Sequence, residues 1–228
     1  MTPALAPDVQ ALINTAWTEI DRQAEHIASL SETFLNNPET GYHESRTSDL
    51  VAAEMSGLGL QVQRGLGPTG VKGRQRGRSS KRTIGLLGEL DALIISDHPH
   101  ANPDTGAAHA CGHNAQLASM LGAAIGLSAV ADQLDGDIAY VAVPAEECIQ
   151  VGERIELIDS GQIDYVVGKA ELLAKGHFDD IDMALLTHTS NVSPDGPLMT
   201  SEVKANGCVV KLVSFHGISS HAGSAPPG

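Results

Sequence analysis

Aromatic side chains and long apolar runs are scarce in this chain. Only 3% of its 228 residues are aromatic although 42% are hydrophobic, so its core must consist mainly of alanine, valine, isoleucine and leucine. No apolar run approaches the roughly 20 residues that a membrane span needs. The N-terminal sequence also lacks the basic and apolar segments of a secretory signal. We therefore expect a globular protein without membrane contact, comprising one domain or one domain and part of another.

Cysteine and basic residues are also few. Three widely spaced cysteines form no disulfide framework, which favours a reducing, cytoplasmic location. The 14 basic residues are outnumbered by 28 acidic ones, and the net charge of −14 opposes binding to nucleic acid. Six basic residues fall between positions 72 and 82, in a Gly/Ser-rich segment without aromatics. This composition favours a solvated hairpin tip over a nucleic-acid patch.

Apolar periodicity divides the first 200 residues into helices and strands. The predicted helices are residues 8–35, 45–55, 114–134 and 153–158. The predicted buried strands are residues 83–90, 137–143 and 182–186, whereas residues 61–72 are expected to be irregular or extended. This alternation is typical of an α/β domain with a mainly parallel sheet and flanking helices.

Side chains with metal-binding chemistry stand next to the ends of these elements. Cys111-Gly112-His113 precedes a predicted helix, Glu146-Glu147 follows the strand 137–143, and His188 follows the strand 182–186. Ligands of open α/β sheets gather at the carboxyl ends of strands, so we expect these groups to converge. Thiolate, imidazole and carboxylate bind zinc-like ions, and a further carboxylate can serve as general base. The pattern indicates a metal-dependent hydrolase. Asp91, which ends the first strand, is equally consistent with orienting an imidazole and with capping a turn.

Three motifs resemble the aminoacylase/carboxypeptidase-G superfamily of dinuclear metallopeptidases. They are Gly88-Glu89-Leu90-Asp91-Ala92-Leu93, His109-Ala110-Cys111-Gly112-His113-Asn114 and Pro144-Ala145-Glu146-Glu147. The amidohydrolase branch, with aminobenzoyl-glutamate hydrolase and indoleacetyl-amino-acid hydrolases, is the most similar. The segment from His216 to Ala222 resembles the opening of the family's lid, or dimerisation, domain. The resemblance thus implies a zinc-peptidase-like catalytic domain over residues 1–200 and the beginning of an α+β lid domain over residues 201–228.

The resemblance also implies roles for particular residues. The expected metal ligands are Cys111, His113, Glu147 and His188. Glu146 is expected to be the general base, and His221 the lid histidine that polarises the substrate carbonyl. The implied cofactor is zinc or manganese, with two ions in the complete enzyme. The implied reaction is hydrolysis of an N-acyl amino acid or dipeptide-like small molecule by a metal-activated water, in a homodimer formed through the lid.

The sequence departs from the family's pattern in ways that affect these expectations. Residues 164–175 look like an insertion between Glu147 and His188, and Cys148 stands where the family usually has glycine. The family also needs a further C-terminal half with a last metal-binding histidine. We therefore expect the 228-residue chain alone to hydrolyse N-acyl amino acids negligibly. The alternative interpretation is a truncated, noncatalytic remnant that acts only through association.

Overall fold

The computed structural model describes residues 7–189, 211, 213, 215–217, 221 and 223. The chain divides into two units, residues 1–192 and residues 193–228, and the architecture below is that of the first. The antiparallel strand expected over residues 203–215 falls largely outside the described residues.

A five-stranded mixed sheet forms the centre of the first unit. Its strands are β1 (Gln61–Leu66), β2 (Gly70–Gln75), β3 (Thr83–Glu89), β6 (Asp137–Val143) and β7 (Met183–Leu186). The order is β1-β2-β6-β3-β7, and β4 (Leu93–Ile94) pairs with β5 (Ala107–Ala108) in a separate two-stranded ribbon. Strands β6, β3 and β7 are parallel, whereas β1 and β2 are antiparallel to their neighbours. The predicted α/β class is confirmed, with an antiparallel hairpin added at one edge of the sheet.

Helices cover the sheet on both faces. They are α1 (Pro7–Arg22), α2 (Ala24–Leu35), α3 (Ser45–Gly57), α4 (His113–Ser128), α5 (Val151–Asp159) and α6 (Gly168–Ala174). The single helix expected over residues 8–35 is two helices, because Gln23 departs from helical geometry with φ −104° and ψ 11°. Among the helices of the described residues, none combines the length and the apolar character that a membrane crossing requires.

The core lies on either side of β6, whose seven residues are all buried. The larger apolar cluster joins Phe34 of α2, Met55 of α3 and Leu117 of α4 to Tyr140 of β6. A smaller cluster on the other side joins Val141 and Val143 to Leu172 of α6. Because alternate residues of β6 enter different clusters, its uninterrupted apolar sequence suits a strand covered on both faces.

The expectation of a third buried strand is wrong about burial. Strand β7 forms where the sequence predicts it, but all four of its residues are exposed. It occupies an edge of the sheet and pairs with β3 within the described part of the chain. Apolar composition predicts a strand without specifying its position in the sheet, and an edge position leaves more of its surface uncovered.

The expectation of a solvated basic hairpin tip holds only in part, because Arg76, Arg78, Lys81 and Arg82 are exposed between β2 and β3 but the other two basic residues are not. The turn between β1 and β2 precedes the basic segment, and Lys72 and Arg74 lie within β2 itself. Lys72 is buried and forms an ion pair with Asp180, which also pairs with Arg74. Strand β2 lies beside the central strand β6, so these two basic side chains belong to the folded interior rather than to a free loop.

Candidate metal centre

The candidate centre lies beyond the carboxyl ends of the three parallel strands. Glu89 is the last residue of β3, Glu146 and Glu147 follow β6, and His188 follows β7. Cys111 and His113 come from the start of α4, whose first residue is His113. Because β3 pairs in parallel with both β6 and β7, the carboxyl ends of these three strands lie at the same edge of the sheet.

A thiol and two imidazoles form the centre's first group of donors. Ligand atoms of Cys111, His113 and His188 all lie within 4.8 Å of one another, and Cys111 Sγ is 3.4 Å from His188 Nε2. Gly112, between the thiol and the first imidazole, has φ 89°, a left-handed conformation that favours glycine. A Cβ atom there would also overlap the side chain of Thr189, which follows His188. Gly112 therefore permits both the sharp turn and the close approach of the segment that carries His188.

Glu147 approaches this group through the thiol. Its carboxyl group is in hydrogen-bonding contact with Cys111, and its backbone N–H donates to Asp91 Oδ2 at 2.9 Å. Glu147 Oε1 is buried and has no hydrogen-bond partner among the described residues. An acceptor oxygen buried in that way costs free energy unless a donor or a cation meets it.

His113 is oriented by Asp91. The Nδ1 atom of His113 lies 2.8 Å from the carbonyl oxygen of Asp91 and 3.5 Å from its carboxylate, while Nε2 lies 3.0 Å from Glu89 Oε2. With Nδ1 directed at the carbonyl, a neutral ring would carry its lone pair on Nε2, which faces the cluster. Asp91 thus orients the imidazole through its backbone and holds the segment of Glu147 through its side chain.

Buried charges dominate the electrostatics around His113. Burial alone lowers the pKa of His113, but hydrogen bonds to Asp91 and Glu89 outweigh this effect and raise the pKa to about 11. Burial raises the pKa of Glu89, but contacts with His113 and Lys169 bring it down to about 2. These opposite shifts describe a proton held on the imidazole between two carboxylates.

The thiol and the carboxyl group of the same cluster behave differently. Burial raises the pKa of Cys111, and the nearby His113 only partly opposes that shift. Burial likewise raises the pKa of Glu147, and the charge of Glu146 adds to the shift. Both groups are thus harder to ionise than in water, and a positive charge beside them would favour the thiolate and the carboxylate.

Glu146 lies on the other side of His113, in a second group of donors. Glu89, His113 and Glu146 place ligand atoms within 4.8 Å of one another, and Glu146 Oε2 is 4.0 Å from His113 Nε2. The ammonium of Lys169 joins this group and contacts both carboxylates, at 3.2 Å in the case of Glu146 Oε1. Glu146 is about one-third exposed, whereas Glu89 is almost completely buried.

The turn before Glu146 is fixed by its backbone contacts. Ala145 has φ 46°, which is uncommon for a residue other than glycine. Its N–H donates to Glu44 Oε1 at 2.7 Å, and its carbonyl oxygen accepts from the N–H of Gly168 at 2.9 Å. Both backbone groups of the strained residue are therefore satisfied, and the direction in which Glu146 and Glu147 leave β6 is set.

Comparison with known proteins identifies the family of this centre. Residues 85–195 match Peptidase family M20/M25/M40. Thermostable carboxypeptidase 2 of Saccharolobus solfataricus is 31% identical in an alignment of 224 positions that covers 94% of this chain and 52% of that protein. The hippurate hydrolase of Campylobacter jejuni is 33% identical in an alignment of 157 positions that covers 65% of this chain and 40% of that protein.

The chain carries a peptidase M20 domain. Its fold is also that of the Bacillus subtilis YXEP protein, a dinuclear metal-binding peptidase of the M20 family, with a TM-score of 0.60 and 22% identity. That alignment covers 73% of this chain and 43% of the other. The resemblance inferred from the three motifs is confirmed. The chain spans about half the length of the curated relatives it matches.

The expected site residues of the M20 domain fall into three groups. Cys111, His113 and His188 come together, and Glu147 touches the thiol of Cys111. Glu146 lies beside His113. His221 belongs to the second unit, where it is exposed and its Nδ1 accepts from the N–H of Gly223 at 3.1 Å. The roles assigned to these residues remain predictions.

Two charged residues of the centre were not anticipated. Glu89 lies in the motif Gly88-Glu89-Leu90-Asp91-Ala92-Leu93, and its position near the end of a predicted strand could have marked it as a residue of the centre. Lys169 lies in the segment interpreted as an insertion, more than 20 residues from Glu146, and no local pattern marks it. Only the docking of α6 against the turn at Ala145 brings its ammonium to the centre.

Proposed function

We propose that this M20 domain is the N-terminal part of the catalytic domain of a metal-dependent amidohydrolase. Its substrate class would be N-acyl amino acids or dipeptide-like molecules, whose amide bond is hydrolysed. The observation that carries the proposal is the convergence of a thiol, two imidazoles and a carboxyl group, with a second carboxylate beside them. The names of the relatives, a carboxypeptidase and a hippurate hydrolase, fit the same class of reaction.

The donor set fits a divalent cation. Glu147 Oε1 is buried without a hydrogen-bond partner among the described residues, and its carboxyl group lies against the thiol of the cluster. Thiolate, imidazole and carboxylate together suit zinc, and the family resemblance also admits manganese. We propose Cys111, His113, Glu147 and His188 as the residues that hold the metal, with two ions in the complete enzyme.

The chemistry is divided between the cation and the carboxylate of Glu146. When bound, a divalent cation would polarise the substrate carbonyl and acidify a water molecule. Glu146 would accept a proton from the attacking water and deliver it to the leaving amine. His113 would be held in a fixed orientation toward the metal by its hydrogen bond to Asp91. His221 is proposed to stabilise the developing oxyanion, by resemblance to the lid histidine.

The finer assignments complete the proposal. We propose that residues 1–200 belong to the catalytic domain and that residues 201–228 begin a lid through which the complete enzyme forms a homodimer. A reducing, cytoplasmic location would keep Cys111 available as a thiolate ligand. The free thiols of Cys111 and Cys148 accord with that location.

Metal binding provides the test in the 228-residue chain, whose hydrolysis of hippurate and N-acetyl amino acids with Zn²⁺ or Mn²⁺ is expected to be negligible. The purified chain is titrated with Co²⁺, whose thiolate complex gives a near-ultraviolet charge-transfer band. We expect the band in the unsubstituted chain and in Cys148→Ser, and its loss in Cys111→Ser. Absence of the band from all three proteins would contradict the metal centre.

A further inference from the structure

The ammonium of Lys169 occupies the position of a cation between two carboxylates. Glu89 and Glu146 lie close enough that their oxygens and His113 Nε2 share a 4.8 Å cluster, a geometry in which a divalent ion could be held. Lys169 Nζ contacts both carboxylates, with Glu146 Oε1 at 3.2 Å and Glu89 Oε1 closer still. Two carboxylates at this separation repel each other unless a positive charge lies between them.

The backbone of α6 is built to bring Lys169 to this position. Gly168, the residue before it, donates its N–H to the carbonyl oxygen of Ala145, at the turn that leads to Glu146. A Cβ atom at Gly168 would overlap the carbonyl oxygen of Pro144, so the close approach requires glycine. Leu172 and Glu171 then anchor the same helix, the first in the apolar cluster and the second through the N–H groups of residues 164 and 165. The placement of Lys169 therefore follows from a rigid contact.

The two carboxylates that contact Lys169 differ in burial. Glu89 is 1% exposed, so its charge depends on neighbouring groups for compensation. Glu146 is 32% exposed and faces the cluster that contains His113. With Lys169 present, its ammonium occupies the space where a divalent ion beside Glu146 would bind, and the two positive charges would repel each other. Without Lys169, the two carboxylates would form an attractive oxygen site for a hard cation.

We propose that Lys169 is a positioning residue, a built-in cation for the Glu89–His113–Glu146 cluster that excludes a metal ion from Glu146. Metal is thereby restricted to the side of the thiol, at Cys111, His113, Glu147 and His188. Glu146 is left uncoordinated, as a general base must be. This inference rests on the proposed function for the role of Glu146, but the exclusion of metal can be measured without activity.

The experiment counts Mn²⁺ ions bound per chain by calorimetric titration of the metal-free 228-residue protein. Lys169→Met should bind one Mn²⁺ more than the unsubstituted chain, because it removes the ammonium and retains a side chain of similar length. Lys169→Arg should restore the unsubstituted count. Lys175→Met is the matched control, because Lys175 lies next to the end of the same helix and pairs with Asp164 and Glu171 rather than with Glu89 or Glu146. The double variant Lys169→Met/Glu89→Gln should lose the additional ion.

Thermal unfolding provides a second measurement. Lys169→Met should melt at least about 5 °C below the unsubstituted chain in EDTA, and Mn²⁺ should reverse most of that loss, because a bound ion stabilises only the folded state.

Glu146→Gln in the presence of Lys169 should leave the Mn²⁺ count unchanged, which tests the inference even if Lys169→Met does not fold. Equal Mn²⁺ counts for Lys169→Met and the unsubstituted chain would overturn it, as would loss of an ion in Glu146→Gln. If the unsubstituted chain binds no metal, the proposed function fails, while a gain of one ion in Lys169→Met still supports the inference.

Discussion

The two ends of the parallel strands differ in how their buried carboxylates are hydrogen-bonded. At the amino ends, the carboxylate of Asp137 accepts from Arg76 at 2.6 Å, from Ser80 Oγ at 3.1 Å and from the N–H of Gly77 at 3.2 Å. At the carboxyl ends, Glu89 and Asp91 contact Lys169 and His113, but Glu147 Oε1 is buried with no hydrogen-bond partner among the described residues. Both edges are rich in acid, but the carboxylate of Asp137 has a hydrogen-bond donor for each of its oxygens, whereas that of Glu147 has none for Oε1 in the described part of the chain.

The same contrast appears in the pKa values. Burial raises the pKa of Asp137, but its hydrogen bonds lower the pKa by more than burial raises it, so the carboxylate remains ionised. Burial raises the pKa of Glu147 and is not overcome. A cleft of about 410 Å³ also opens at the amino ends, but the arginines that line it pair with Asp137 and Asp180. A carboxylate oxygen without a hydrogen-bond partner within the described ranges, rather than a cavity, distinguishes the candidate centre from a region that stabilises the fold.

The largest expected effect separates the two carboxylates that follow β6. Glu146→Gln should reduce turnover of N-acyl amino acids by about 10²- to 10⁴-fold in any form of the protein that hydrolyses them, because the proton acceptor is lost. Metal content, measured by elemental analysis, should stay near that of the unsubstituted protein. Glu147→Gln should lower the metal content. Equal loss of metal in the two variants would make Glu146 a ligand.

At the opposite edge, Asp137→Ala should change stability and not metal binding. The substitution removes a buried carboxylate and leaves part of Arg74 and Arg76 unpaired. We expect the free energy of unfolding in urea to fall by about 2–4 kcal/mol. Affinity for Co²⁺ should remain within about twofold of the original, since the centre lies at the other ends of the strands. A large loss of metal affinity in folded protein would break the distinction between the two edges.

Beneath the candidate centre, Glu44 should give stability a pH dependence. Burial raises its pKa to about 7 from 4.5, although hydrogen bonds from Thr69 and Ala145 oppose the shift. Between these two values the folded state holds a proton that the unfolded state has lost. The free energy of unfolding should therefore fall by about 3 kcal/mol as the pH rises from about 4.5 to about 7. Glu44→Gln keeps an acceptor for the N–H of Ala145, and subtracting its pH profile isolates this contribution. Parallel profiles would contradict the raised pKa.

The smallest effect is expected from an ion pair at the surface near Asp137. Arg78 and Asp135 are 58% and 65% exposed, and their two hydrogen bonds are 2.8 Å long. Water and salt weaken such a pair, so Asp135→Ala should leave the urea midpoint unchanged within error. This variant is the matched control for Asp137→Ala. A comparable loss of stability in both would mean that general charge balance, rather than burial, determines the effect at this edge.

The sequence alone determined the elements on which the centre is built. The strand over residues 137–143 was predicted with its observed bounds, because seven consecutive residues of a two-sided core strand leave an uninterrupted pattern. Cys111-Gly112-His113, Glu146-Glu147 and His188 could be grouped because each adjoins the end of a predicted element. Local periodicity and a short motif suffice when the chemistry follows directly on a regular element.

Only the tertiary structure decided burial and partnership. The apolar residues of β7 gave no sign that the strand would lie at an edge, and the basic residues of β2 gave no sign that Asp180 would meet them. Lys169 reaches Glu89 and Glu146 because α6 docks through Gly168, a contact between segments far apart in the chain. A residue's own neighbours in sequence set its secondary structure, but the charge it meets depends on which distant elements pack against it.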